Sequence, residues 1–311
     1  LIQKQLKIFR WLQPCLKAEL PSLKTIKSFT DLGENRPLTV IAGYLGAGKT
    51  TLINRMLAEA KQPFAVIVND LGALAVDHAL IAGQQGSTLT LTNGCACCQI
   101  SADLAAQLAT LRQADFSALV FEASGVAKAS RLATITSQAE GYELAKVVTL
   151  VDGFDAPRLL KDPYLSPLIK EQIAAADWVL QTKRLDVVDP ALALLAPDLK
   201  RLAGDGPLPE QLAPEYRFAR RTSQGSGITA PSFQHRVIYP SKDLTPDALK
   251  AFIAAQPAIE RVKGWLVNPP DGVLVQATRA HFQTQAATSP QGLGLQFIWR
   301  GGDEIDFSAL T

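Results

Sequence analysis

Apolar positions along the chain fall into short runs separated by helical stretches, and this alternation predicts an α/β fold, a mostly parallel sheet flanked by helices on both faces. Leu38 to Ala42 is the first buried run, after which Leu52, Ile53, Met56, Leu57 and Ala60 recur at the spacing of one helix face. Phe64 to Val68 reads as a second apolar strand ending in Asn69-Asp70, and Thr88 to Thr92 alternates as a strand does. A helix is expected from about Ser101 to Gln113. Further strands follow over Ala118 to Phe121, Val147 to Val151 and Trp178 to Leu180, with Leu168 to Ala176 among the crossovers. In sheets of this kind ligands sit beyond the carboxyl ends of the strands. Gly43, Asp70, Glu122 and Asp152 all fall there.

From Pro207 to Thr229 the texture shifts to Pro, Gly, Ser and Arg, as in a linker. Beyond it, strand-like runs at His235 to Tyr239, Trp265 to Val267, Gly272 to Ala277 and Leu295 to Trp299, with a helix near Pro246 to Ala255, predict a smaller α+β domain. The expected division is therefore a basic extension over 1–36, a main domain over 37–220 and a carboxyl-terminal domain over 221–311.

The first strand runs into Gly43-Tyr44-Leu45-Gly46-Ala47-Gly48-Lys49-Thr50-Thr51, a complete G-x-x-x-x-G-K-[ST] pattern. Gly43, Gly46 and Gly48 let the backbone turn its N–H groups toward an anion, and the following helix adds its positive end. Lys49 is expected to reach the β- and γ-phosphates, Thr50 to hold Mg²⁺, and Ala47 and Thr51 to complete the cradle. By residue frequencies alone the pattern arises on the order of once in a hundred chains of this length, and its strand-then-helix setting makes chance rarer still. The expectation is a P-loop NTPase domain.

Composition excludes more than it identifies. A net charge of +2 over 311 residues, with acids and bases interspersed, gives no reason to expect nucleic acid or a membrane surface as partner. No apolar run is long enough to span a bilayer. Residues 1–36 are the exception, with seven Lys or Arg against three acids. They read as a targeting extension, a packed leader, or an amphipathic helix carrying Ile8, Phe9, Trp11 and Leu12.

Three of the four cysteines lie within Cys95-Ala96-Cys97-Cys98, where a strand end meets a helix start. Such near neighbours rarely satisfy disulfide geometry, so metal or redox chemistry in a reducing cytoplasm is expected. Clustered thiolates select Zn²⁺ and other soft or borderline metals, and three of them leave one tetrahedral position for water, another side chain or a partner. A redox pair, or a structural site completed by His78, His235 or His281, stands as the alternative. Cys15 reads as an inert apolar residue. Glu122 in Glu122-Ala123-Ser124-Gly125 is placed to order Mg²⁺ or a catalytic water. Asp70 and Asp77 lie in a loop suited to sensing the γ-phosphate, or serve as caps.

Together, G-Y-L-G-A-G-K-T-T, N-D-L-G, G-C-A-C-C, E-A-S-G and the Val151-Asp152-Gly153 run resemble the CobW-type GTPases, a branch of P-loop proteins that includes the hydrogenase and urease nickel-insertion GTPases. The likeness runs from about Pro37 onward, with Ile259 to Leu266 and Phe297-Ile298-Trp299 similar to the family's carboxyl-terminal domain. It implies a GTP-driven metal chaperone that binds zinc or cobalt at Cys95, Cys97 and Cys98 and delivers it to a client metalloprotein, with homo-oligomers possible. It also implies phosphate contact by Lys49, Mg²⁺ at Thr50 and the acid role for Glu122; Asp70 stands with Lys49 and Glu122 as a candidate catalytic residue. The chain departs from the family pattern twice. N-E-F-G-E is Asn69-Asp70-Leu71-Gly72-Ala73, and the guanine-reading N-K-x-D is Thr182-Lys183-Arg184-Leu185-Asp186, with the aspartate one place late. Whether the base is guanine or adenine stays open, as does a regulatory protein that binds nucleotide and zinc but hydrolyses little.

Overall fold

The computed structural model describes residues 35–69, 88–91, 108, 111–112, 114–218, 231–241, 243–266, 272–287, 294–302 and 304–311. Residues 1–34 of the expected extension, the loop with Asp70, Asp77 and His78, the cysteine cluster, most of the helix near Ser101 to Gln113 and the end of the linker lie outside them.

Within Glu34–Thr311, seven strands form one wholly parallel sheet. In chain order they are β1 (Arg36–Gly43), β2 (Ala65–Asn69), β3 (Thr88–Leu91), β4 (Leu119–Glu122), β5 (Tyr142–Asp152), β6 (Trp178–Thr182) and β7 (Lys200–Arg201). Their order across the sheet is β3-β2-β4-β1-β5-β6-β7. The central strands read as unbroken apolar runs because both faces are covered. Leu38, Val40 and Ala42 of β1 join Leu119 and Phe121 of β4 against α2 (Ala129–Ser137), through Leu132 and Ala133. Ile41, Val120, Val148 and Leu150 meet α1 (Lys49–Glu59) on the other face, through Leu52, Ile53 and Met56. Further helices α3 (Ala156–Lys161), α4 (Ser166–Ala174) and α5 (Pro190–Leu195) follow. The Asp189 carboxylate caps α5, accepting from the N–H groups of Ala191 and Leu192.

β1 lies between β4 and β5, with Ile41 level with Glu122 and Gly43 level with Leu150. Asp152 in turn is level with Thr182 on β6. Three neighbouring crossovers therefore deliver Glu122, Asp152 and Thr182 to the edge where the cradle turns.

The second sheet is antiparallel, with β8 (Phe233–Ile238), β9 (Ile259–Trp265), β10 (Gly272–Thr278), β11 (Phe282–Ala287) and β12 (Gly294–Arg300) in the order β11-β10-β9-β12-β8. Helix α6 (Pro246–Ala255) covers one face, where Leu249 and Ile253 pack on Val262, Val275, Leu295 and Phe297. Ile298 faces the other way and joins Tyr44, Leu45 and Val151.

The predicted strand at Trp265 to Val267 is corrected to Ile259–Trp265. Its charges disguised it: Glu260 and Lys263 are both buried, each under 3% exposed. Gly264 has φ +143, and a Cβ there would lie 2.1 Å from the Gly294 carbonyl oxygen, so only glycine lets β9 and β12 close up.

Candidate functional site at the nucleotide cradle

Gly43 leaves β1 with φ +134, and a Cβ on it would meet the Leu150 carbonyl oxygen at 2.4 Å. The chain can curl over the end of β5 only without a side chain there. The turn is closed by the Ala47 N–H donating to the Tyr44 carbonyl at 3.1 Å, and Gly48, at φ +95, opens α1. The first turn of α1 carries no acid, so its positive end is left for an external anion. Thr51 sits exposed on that turn. Lys49 is buried and its ammonium donates to the carbonyls of Gly43 and Tyr44 at 2.9 and 3.2 Å, tethered across the cradle mouth.

Thr50 Oγ1 donates to Glu122 Oε1 at 3.0 Å. Glu122 is 5% exposed at the end of β4. The loop after it is held from a distance: the Glu171 carboxylate of α4 accepts from the N–H groups of Ala129 and Ser130 at 3.0 and 2.9 Å, serving as the N-terminal cap of α2. Gln172 Nε2 donates to the Ala127 carbonyl at 2.9 Å. Gly125 fits directly against the Leu45 backbone, since a Cβ there would lie 2.7 Å from the Leu45 nitrogen. These positioning groups carry no motif. Their only trace in the sequence is a Glu-Gln pair on the buried, mostly apolar face of α4.

The Thr182-Lys183 pair closes the cradle from the side of β6. Thr182 Oγ1 donates to the Ala47 carbonyl at 2.9 Å, and Lys183 Nζ donates to the Gly46 carbonyl at 3.0 Å and to Asp152 Oδ2 at 2.6 Å. The other Asp152 oxygen accepts from the Phe154 N–H at 2.9 Å. Lys183 and Arg184 take φ of +55 and +25, an uncommon pair for residues with side chains. Gln181 Nε2 braces the loop by donating to the carbonyls of Arg184 and Val187, both at 2.7 Å. Asp186 stands exposed at the tip of this braced loop. Gly43, Gly46, Ala47, Gly48, Lys49, Thr50, Glu122, Thr182 and Lys183 are thus brought together. Asp186 makes no described bond to the cradle, and Asp70, Cys95, Cys97 and Cys98 lie outside the described residues.

The second sheet touches three consecutive cradle residues. Tyr44 is buried with its ring 6.4 Å from that of Phe233, and burial together with the Glu260 carboxylate pushes its hydroxyl well above the usual tyrosine range. Leu45 packs with Ile298, and a Cβ on Gly46 would strike the Thr278 methyl at 2.5 Å. Glu260 lies wholly buried between Arg158, at 3.0 Å, and Arg300, at 2.7 Å. Those arginines also bind Asp155, at 2.7 Å, and Asp162, at 2.6 Å. His281 Nε2 lies 3.3 Å from Asp152 Oδ2.

The arrangement suits Mg²⁺ as a hydroxyl and a carboxylate side by side, both hard oxygen donors, next to a phosphate-shaped turn. Chemically it can hold a polyphosphate, neutralise its charge and position a water.

Comparison with known proteins gives the family of the chain. The chain is 28% identical over 216 residues to "Zinc chaperone CobW" of Pseudomonas aeruginosa, covering 58% of each chain. It is 34% identical over 157 residues to "Zinc chaperone YjiA" of Escherichia coli K12, covering 47% of this chain and 48% of that protein. The chain thus spans about half the length of the curated relatives it matches. The Zn(II)-bound YjiA GTPase structure from E. coli aligns with 86% of this chain and 95% of its own, at 19% identity and a TM-score of 0.41. The nucleotide-binding domain model of CobW/HypB/UreG matches residues 37–208. That span takes in the cradle, Glu122, Asp152 and the Thr182-Lys183 clamp, and on it this chain belongs to the CobW/HypB/UreG family.

Proposed function

We propose that this chain is a nucleotide-dependent metal chaperone that binds GTP with Mg²⁺ in the cradle and couples hydrolysis to the hand-over of zinc, or cobalt, to a client protein. Family membership supports the class, and the observation that carries the reading is the Thr50–Glu122 pair beside a Lys49 held over the cradle mouth. Lys49 would leave its two carbonyl acceptors for the β- and γ-phosphates, a shift between alternative partners that keeps the ammonium satisfied in both states. Thr50 and Glu122 would hold Mg²⁺, which supplies charge neutralisation on the phosphates when bound. Glu122 would also orient the attacking water. Cys95, Cys97 and Cys98 would carry the cargo ion, and the loop with Asp70 would order on the γ-phosphate and relax after hydrolysis.

Thr182 gives its hydroxyl to the Ala47 carbonyl, and Lys183 lies over the cradle. The two left-handed residues at 183 and 184 would absorb the extra position and bring Asp186 to the guanine N1–H and amino group. Competition binding of GTP against ATP tests this, and equal affinities would remove the guanine assignment.

Zinc titration of the full chain with a GTP analogue and then with GDP tests the main reading. Zinc affinity should change with the nucleotide, and Cys97→Ser with Cys98→Ser should abolish tight binding. Unchanged zinc stoichiometry in that variant overturns the reading. Phosphate release that is negligible and indifferent to zinc would favour instead a regulatory protein that binds both ligands, which the altered base-reading motif also suits.

A further inference from the structure

Between α6 and the turn joining β10 to β11 lies a cavity of about 320 Å³, at the small end of the range for ligand sites. Lys250, Arg279 and His281 line it, none of its lining residues is a carboxylate, and the nearest described acid, Asp152, is met by His281. Arg279 Nη1 is steadied by the Gln256 carbonyl at 3.4 Å, and the Lys250 ammonium lies 6.0 Å from the centre of the Phe282 ring. Neither cation forms an ion pair among the described residues. Thr278 adds a buried hydroxyl oxygen with no hydrogen-bond partner. Phe282 and Ile253 supply an apolar wall.

Cations gathered around one hollow repel each other unless an anion joins them. Their chemistry says which kind. A planar fork, a point charge and a hydroxyl suit the several oxygens of a tetrahedral dianion better than the two of a carboxylate. The aromatic and aliphatic wall leaves room for a small apolar group attached to it.

We propose that this cavity is a second anion site, separate from the cradle, that binds a small phosphate monoester: Lys250, Arg279 and Thr278 hold the phosphoryl oxygens, and Phe282 and Ile253 hold the substituent. The site lies one contact from the cradle, because its Thr278 touches Gly46 and its His281 touches Asp152.

Isothermal titration of the full chain with phenyl phosphate tests this, in three forms: unaltered, Lys49→Ala to disable the cradle, and Lys250→Ala with Arg279→Ala to disable the cavity. Both cavity residues are exposed, so an unchanged melting temperature in the double variant is the control for folding. Saturable binding should persist in the Lys49→Ala chain, weaken by about tenfold or more in the double variant, and exceed that of benzoate. The proposal is overturned if phenyl phosphate does not bind the unaltered chain, if Lys49→Ala abolishes the binding, if the double variant retains it at full strength, or if benzoate binds as tightly.

Discussion

At the scale of single residues, Lys146 shows how a sheet can carry a cost unrelated to its ligand. It is wholly buried on β5, where its ammonium donates to the carbonyls of Ala213 and Tyr216 and lies 5.5 Å from the Tyr216 ring centre. Burial lowers its pKa from the ordinary 10.5 to about 7. Below pH 7 both the folded and the unfolded chain hold the proton, and the full cost of burying the charge is present. Between about 7 and 10.5 the unfolded chain holds a proton that the folded chain lacks, so this group makes stability rise with pH. Lys146→Met should raise stability near pH 6.5 and flatten the rise toward pH 9.5, as read from urea unfolding midpoints at the two pH values.

At the scale of elements, the junction of β9, β12 and α3 is where a substitution should cost most. Glu260 answers two arginines from different elements, and removing it leaves each with one remaining carboxylate, Asp155 or Asp162. Glu260→Ala should lower stability by about 1.5–3 kcal/mol, the range for losing hydrogen bonds to a charged group, because each arginine keeps a second carboxylate. Thermal unfolding measures it, and a loss below 1 kcal/mol would mean that water enters freely. This junction also marks where reading the chain fell short. The cradle, the strands leading to Glu122 and Asp152, and α6 were legible because periodicity and turn chemistry are local. β6 was legible too, although it runs two residues further, through Thr182. β9 was placed late because its inward-facing Glu260 and Lys263 are charged, and β11, with the sequence Phe-Gln-Thr-Gln-Ala-Ala, offered no apolar alternation. Glu171, Arg158, Arg300 and His281 could not be assigned roles from spacing, since each acts on a group at least 40 residues away in the chain.

At the scale of the whole unit, the nucleotide turn is gripped from two sides. β6 holds it through Thr182 and Lys183, and the antiparallel sheet holds it through Phe233, Ile298 and Thr278. Filling the cradle should therefore be felt beyond the parallel sheet. Hydrogen exchange followed by mass spectrometry should show slower exchange in β9, β10 and β12 on addition of GDP with Mg²⁺, and no such change in the Lys49→Ala chain. Protection confined to residues 36–69 would show that the grip transmits nothing.

The match of glycine to threonine at positions 46 and 278 has an evolutionary corollary. A hybrid gene with its crossover between residues 218 and 231 would take the turn from one parent and the surface pressing on it from the other. Such hybrids should survive mainly when both parents keep that pair, together with Tyr44, Glu260 and the two arginines, as an inherited set.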